Sequence, residues 1–401
     1  MLEYYLDLIG GVGYLYSIRY GFIWLTLFII LVFSQSSEAA VPTAASLTSE
    51  QDQIIERYEE AKVLELEEIG EIKFEEQNGR IIEQAVKVEI LSGPFKGREF
   101  IAHNSLSNSP GIDIEINEGD RVVVYMSEKL NSGKENEIQE VYVADIGRTN
   151  YLTYLLLAFI LLLIGIGGKK GIQALVALGL TVLGIWKVLL PAILKGHSPL
   201  PLTVLVIAAV TILTMIVIGG ITRKSLAATL GTITGVLIAG ILAILVGDLA
   251  HLNGLATEEE RMLLYVEGLK INMQGLLFAG ILIGAVGAIM DVAMSVASAV
   301  EEVKKANPAL SRMQLVSAGM NVGKDIMGTM ANTLILAYAG GSLPFMLLYL
   351  AYDTPVVRVF NSELIATEIV RSLAGTIGLI ICVPLTAIIA GFLAGRGQDV
   401  P

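Results

Sequence analysis

Eight stretches of this chain are apolar over about 20 residues, the length that crosses a bilayer. They run roughly over 20–38, 151–168, 171–192, 200–219, 226–247, 272–297, 326–350 and 369–394. Segments of this kind fold as helices, because backbone groups in lipid find no water and must satisfy one another. Composition agrees: 54% of residues are hydrophobic and 16% are charged, against about 25% charged in a soluble domain. The first run allows two outcomes. Arg19 precedes a short apolar core from Phe22 to Phe33, and Ser37-Glu38-Ala39 has the small residues of a signal-peptidase site. Residues 1–40 are therefore a cleaved signal peptide or a first transmembrane helix. The fold class expected is an α-helical polytopic membrane protein of seven or eight transmembrane helices.

Charge divides the chain. The net charge is −12, and residues 41–150 carry 11 Lys and Arg against 23 Asp and Glu. The remaining segments balance. An acidic domain on a neutral membrane body argues against nucleic acid as a partner, since phosphate binding needs a basic face. Orientation follows from the basic residues. With the amino terminus inside, Arg19, Lys169, Lys170, Arg223, Lys224, Lys304, Lys305, Arg312, Lys324 and Arg396 lie inside; six others lie outside. Residues 41–150 are then extracytoplasmic. Cys382 is the single cysteine, and His103, His197 and His251 are scattered. Neither a disulfide nor a metal cluster is expected, and no cofactor is implied.

The outer domain begins with a stretch that predicts a helix, about Ser49 to Leu66, rich in Glu. The period then changes to two. Gln84 to Leu91 alternates as a strand, Ser92-Gly-Pro-Phe-Lys-Gly97 is a turn, and strands follow at Arg98–Ala102, Ile112–Ile116 and from Arg121. Short strands with glycine turns predict a small β-barrel of OB or SH3 type. Its default role is structural or docking, with a protein as its partner; a specific ligand site is the alternative.

In the membrane body, spanning 151–401, Gly165-Ile-Gly-Gly-Lys-Lys-Gly171 lacks the Lys-Ser/Thr ending of a phosphate loop and predicts a tight turn between two spans. Pro191, Pro199 and Pro201 bracket another turn. Gly231-xxx-Gly235 and Gly280-xxx-Gly284 are small-residue ridges suited to close helix packing.

Asp291 stands inside the apolar stretch from about Ile271 to Val300. A carboxylate at that depth costs at least about 2.5 kcal/mol, which makes it a functional candidate. The stretch ends in Glu301-Glu-Val-Lys-Lys, after which Asn307-Pro308 predicts the start of a new helix. Leu310, Met313, Val316 and Met320 give that helix an apolar face, so an amphipathic cytoplasmic helix is expected over about 305–325. Polar residues then recur every three or four positions, at Asn321, Asp325, Thr329 and Asn332 or Thr333. Asp291 and Asn332 each lie about 9 Å into the hydrocarbon at 1.5 Å per residue. If the helices are neighbours, Asp291 faces Thr329, Asn332 and Thr333, with Ser295 and Ser298 continuing the track. In one interpretation Asp291 binds and releases a proton or cation; in the other it is buried and held by Asn332. Asp325, beside Lys324, is either a solvated cap or part of the path. Glu368 and Arg371 are placed to pair across one turn.

Ser317-Ala-Gly-Met-Asn-Val-Gly-Lys-Asp-Ile-Met-Gly-Thr-Met-Ala-Asn-Thr-Leu-Ile-Leu-Ala-Tyr338, with Arg371-Ser-Leu-Ala-Gly-Thr-Ile-Gly-Leu and Val383-Pro-Leu-Thr386, closely resembles the YibE/F family of bacterial multi-pass membrane proteins. The resemblance covers most of 60–395 and implies the bacterial plasma (inner) membrane. The order of a span with a buried Asp, an inner helix, and a span with Ala-Asn-Thr and a Gly340-Gly341 turn also resembles half of an RND-type permease, above all SecD/SecF. That likeness implies an RND/SecDF-like bundle, with Asp291 as the proton-responsive group and Asn332 its neighbour. A homo-oligomer or a heteromeric membrane partner is implied as well. The chain departs in having two extra spans (151–192), a small barrel as outer domain, and a single half.

Three functions remain open. One is a proton- or ion-coupled transporter of RND type. Another is a non-transporting assembly or chaperone-like factor acting through the outer domain. The third is a passive channel. An enzyme is not expected, because no His-Glu-x-x-His, Gly-x-Ser-x-Gly or complete phosphate loop occurs.

Overall fold

A computed structural model describes residues 54–74, 79–107, 113–129 and 137–394. The predicted signal peptide or first span over residues 1–40, the first residues of the predicted helix at 49–53, and Arg396 lie outside the described residues. The chain divides into two compact units, with a boundary near residue 163.

The first unit holds five strands: β1 (Ile54–Phe74), β2 (Gly79–Ile90), β3 (Glu99–Leu106), β4 (Arg121–Lys129) and β5 (Glu137–Ile146). They close into a barrel in the order β1-β2-β3-β5-β4. Closure depends on the length of β1. Its first half, Ile54 to Lys62, pairs antiparallel with β4, and Ala61 to Phe74 pairs with β2. Register shifts at Val63/Glu65 and Glu68/Gly70 mark where the strand bends to serve both neighbours.

The helix predicted up to Leu66 is therefore a strand wherever it is described. Its glutamates favour a helix locally, but ladders on both edges and burial of Ala61 and Val63 outweigh that preference. Val86, Val88 and Ile90 of β2 and Val122, Val124 and Met126 of β4 alternate into the same core. The predicted strand over Ile112–Ile116 is irregular where described. It still buries Ile116, and Asn104 Nδ2 holds it by donating to Ile114 O at 2.9 Å. The predicted turn at Ser92–Gly97 is present, with Gly93 and Gly97 at positive φ. β5 is absent from the predicted strands; its inward residues Ile138, Val141 and Val143 are spaced three then two, because a bulge interrupts the ladder.

The second unit is helical. Helix α1 (Thr149–Leu183) runs on through a π-helical stretch, Gly184–Leu189, into α2 (Leu190–Leu194). Then come α3 (Pro199–Gly219), α4 (Arg223–Leu249), short α5 (Glu258–Met262), α6 (Met273–Ala306), α7 (Arg312–Gly341), α8 (Leu343–Ala351), short α9 (Val356–Phe360) and α10 (Glu363–Ala394). Among the described residues five helices are long and apolar enough to cross a membrane, or six if the bent pair α7–α8 counts as one span. The predicted runs 151–168 and 171–192 both lie in the helical stretch Thr149–Leu194. The backbone breaks at Gly168 (φ 52°, ψ −126°), and a Cβ at Gly171 would collide with Leu163 O, so the chain turns sharply between the two runs as expected.

Helices α4, α6, α7 and α10 form the core. Gly235 of α4 and Gly378 of α10 meet there, and a Cβ at Gly378 would lie 2.7 Å from both Ala239 Cβ and Gly235 O. The Gly231–Gly235 ridge thus packs as expected. Helix α7 differs from expectation. No separate amphipathic helix covers 305–325: Asn307 caps the end of α6, and α7 starts after Ser311, whose side chain forms a capping box with Gln314. From there it is continuous to Gly341. The apolar face at Leu315, Val316 and Gly319 lies in the bundle core beside Val300 and Ala387 instead of on an inner surface.

Candidate functional site in the membrane bundle

Asp291 lies near the middle of α6. Around the helix the buried positions are Ala285, Ile289, Val292, Ala293, Val296 and Val300. The opposite face carries Gly280, Gly284, Gly287, Asp291, Ser295 and Ser298, at spacings of four and three that keep them in one line. Gly280, Gly284, Gly287, Asp291 and Ser295 are exposed, and Ser298 is partly so. A Cβ at Gly280 or Gly287 would meet nothing within 4 Å. The line is a smooth furrow of glycine that ends in a carboxylate and two hydroxyls.

Helix α7 flanks this line. Val300 packs on Gly319, and Val296 lies 3.2 Å from where a Cβ at Gly323 would sit. The hydroxyl end of Tyr338 fills the space beside Gly284. That antiparallel register sets Asp291 level with Gly328 and Thr329. The sequence expectation of matched depth is met, but the expected contacts are not. Asn321, Asp325, Thr329, Asn332 and Thr333 are all exposed on the outer side of α7. Thr329 donates to Ile326 O and Thr333 to Thr329 O, each at 2.9 Å, so both hydroxyls are engaged by their own helix. Among the described residues Asp291 forms no hydrogen bond or ion pair with them. The alternative of a buried Asp291 held by Asn332 is not met: among the described residues both side chains are exposed and no bond joins them.

Two groups complete the furrow. At the Gly280 end, Glu368 pairs with Arg371 as expected, and Arg371, Glu260 and Gly280 line a cavity of about 210 Å3. At the other end Glu302 binds Lys305 at 2.9 Å. Gly287, Gly328 and Tyr338 were not singled out by sequence. The signal was present, because the 4-3 spacing of Gly280-Gly284-Gly287 runs unbroken into Asp291. Among the described residues no group of three His, Cys, Asp or Glu side chains is placed to hold a metal ion.

A polytopic helical membrane protein with an attached five-stranded barrel is the class these features define. Residues 155–396 match the family described as YibE/F-like protein, and residues 55–142 match the YibE/F family N-terminal domain. The chain belongs to the YibE/F family. No curated protein and no solved structure matches it.

Proposed function

We propose that the chain is a subunit of a proton- or cation-coupled membrane transporter with an RND/SecDF-like working principle, and that Asp291 is the group that takes up and releases the ion. One observation supports this most: a carboxylate in the middle of a span, on a face where the described residues of the bundle offer it no partner. Left in hydrocarbon it costs at least about 2.5 kcal/mol. The face is therefore closed by a second membrane subunit, a further copy or a heteromeric partner, and the glycines give that subunit room to approach. Gly165–Gly171 is then the inner turn between two spans bent at Gly168, since 46 residues of straight helix would measure about 69 Å at 1.5 Å per residue.

Closure by a second copy has a direct readout. Cys382 is buried, so a Cys382→Ala chain carrying Gly287→Cys has one accessible thiol. Oxidation in membranes is expected to give a cross-linked dimer, while Leu249→Cys gives none. A monomer alone in both would leave a different subunit as the closing partner.

The activity is tested in vesicles holding the purified chain, with a pH-sensitive dye inside and a pH step applied. Proton entry above that of empty vesicles is expected. Its absence over a screen of ions would sink the transporter and favour the assembly factor. A specific observation speaks for that second function. Tyr58, Tyr125, Tyr142 and His103 form one row across β1, β4, β5 and β3. Tyr58 meets Tyr125 edge-on at 5.4 Å, and His103 lies 5.9 Å from Tyr142. Tyr58, Tyr142 and His103 are exposed, as a surface for a protein partner would be.

A further inference from the structure

At one end of the bundle the first turn of α4, the last turns of α6 and the end of α10 enclose a cavity of about 210 Å3. Its rim carries four cations, Arg223, Lys224, Lys304 and Lys305, against one carboxylate, Glu301; its walls are apolar, from Ala297, Val300, Ala390 and Ala394. The cations are held in place. Lys224 and Lys305 share Glu301 at 3.0 and 3.4 Å. Arg223 donates to Leu393 O at 3.2 Å and Lys304 to Pro308 O at 2.7 Å. A second feature points the same way. Arg223 and Lys224 are the first two residues of a 27-residue helix, whose amino end favours an anion.

We propose that this cavity binds a phosphate-ester anion. Preorganised guanidinium and ammonium groups over an apolar floor suit a phosphate carried on an apolar chain, and basic recesses between membrane helices take anionic headgroups. A phospholipid headgroup and a free phosphate present the same chemistry. The site is distinct from Asp291, on another face of α6, and does not depend on the transport function.

The full chain is placed in nanodiscs of mixed phosphatidylglycerol and phosphatidylcholine, and retained lipid is measured by native mass spectrometry. In parallel, inorganic phosphate is titrated into delipidated protein and the melting temperature followed. Wild type is expected to retain phosphatidylglycerol at least tenfold over phosphatidylcholine, and R223Q with K304Q to lose most of that preference. Lys195→Gln, at the other end, keeps it. Glu301→Gln removes the rim carboxylate and is expected to strengthen retention severalfold, which separates lost binding from lost folding. Stabilisation by phosphate without lipid preference assigns the site to a soluble phosphate. If neither probe distinguishes wild type from R223Q/K304Q in a chain that still melts normally, the site does not exist.

Discussion

Gly378→Leu leaves no folded bundle: the chain elutes as aggregate from detergent and shows no cooperative melting. The reason is a contact between backbones. The Cβ that alanine alone would add sits 2.7 Å from Ala239 Cβ and 2.7 Å from Gly235 O. Neither atom can rotate away, as a side-chain tip could. From across the crossing, a Cβ at Gly235 would lie 3.0 Å from both Gly378 O and Ile289 Cγ2. The helices must therefore part, and Ile289, in the centre of the core, parts with them. Lipid tails are as apolar as the core, so helix association rests on close packing, not on the exclusion of water. Overpacking by one methyl costs about 1–3 kcal/mol. Gly378→Ala should thus lower the melting temperature while leaving the fold, and leucine exceeds what the crossing tolerates. Gly287→Ala is the control, because its added carbon meets nothing within 4 Å. A Gly378→Leu chain that melts like wild type would show that α4 and α10 do not cross here.

The contrast between Gly378 and Gly287 shows what a sequence of this kind conceals. Small residues at four-residue spacing announce close approach, but not what approaches. Gly231-xxx-Gly235 and Gly280-xxx-Gly284 read alike; one packs on α10, while in the other Gly280 lies open and Gly284 meets only the tip of Tyr338. In a soluble helix the apolar side marks the core. In a span both sides are apolar, so hydrophobicity does not tell the face of α6 toward the bundle from the face away from it. Hence the depth of Asp291 relative to α7 was legible and its direction was not. The barrel showed the opposite balance. Its glycine turns and the alternation of β2 and β4 were plain, but β1 was hidden by helix-favouring residues whose state is fixed by partners distant in sequence. Ser311 with Gln314 was legible as a capping box and gave way to the more conspicuous Asn307-Pro308. The basic cavity was invisible, since Arg223, Glu301 and Ala394 are brought together only by the fold.

Asp291→Asn abolishes ion-driven flux, by more than tenfold, in a chain that still folds. Position and chemistry give separate parts of that expectation. Because Asp291 faces away from Ile289, Val292 and Val296, its replacement disturbs none of these core contacts within the bundle. Expression, melting temperature and elution volume should match wild type. Asparagine keeps the shape and the hydrogen-bonding capacity of the protonated acid but cannot ionise, so it removes only the alternation of charge. Asp291→Glu retains that alternation on a longer arm and should keep part of the flux. Asp291→Leu, which relieves the cost of a carboxylate in hydrocarbon, should be as inactive as asparagine and no less stable. A structural carboxylate gives the reverse order: asparagine works normally, and leucine fails together with loss of the oligomer. Flux from Asp291→Asn equal to that of wild type ends the coupling role. Equal stability in all four chains, with flux only where a carboxyl group remains, is the result the exposed position of Asp291 leads us to expect.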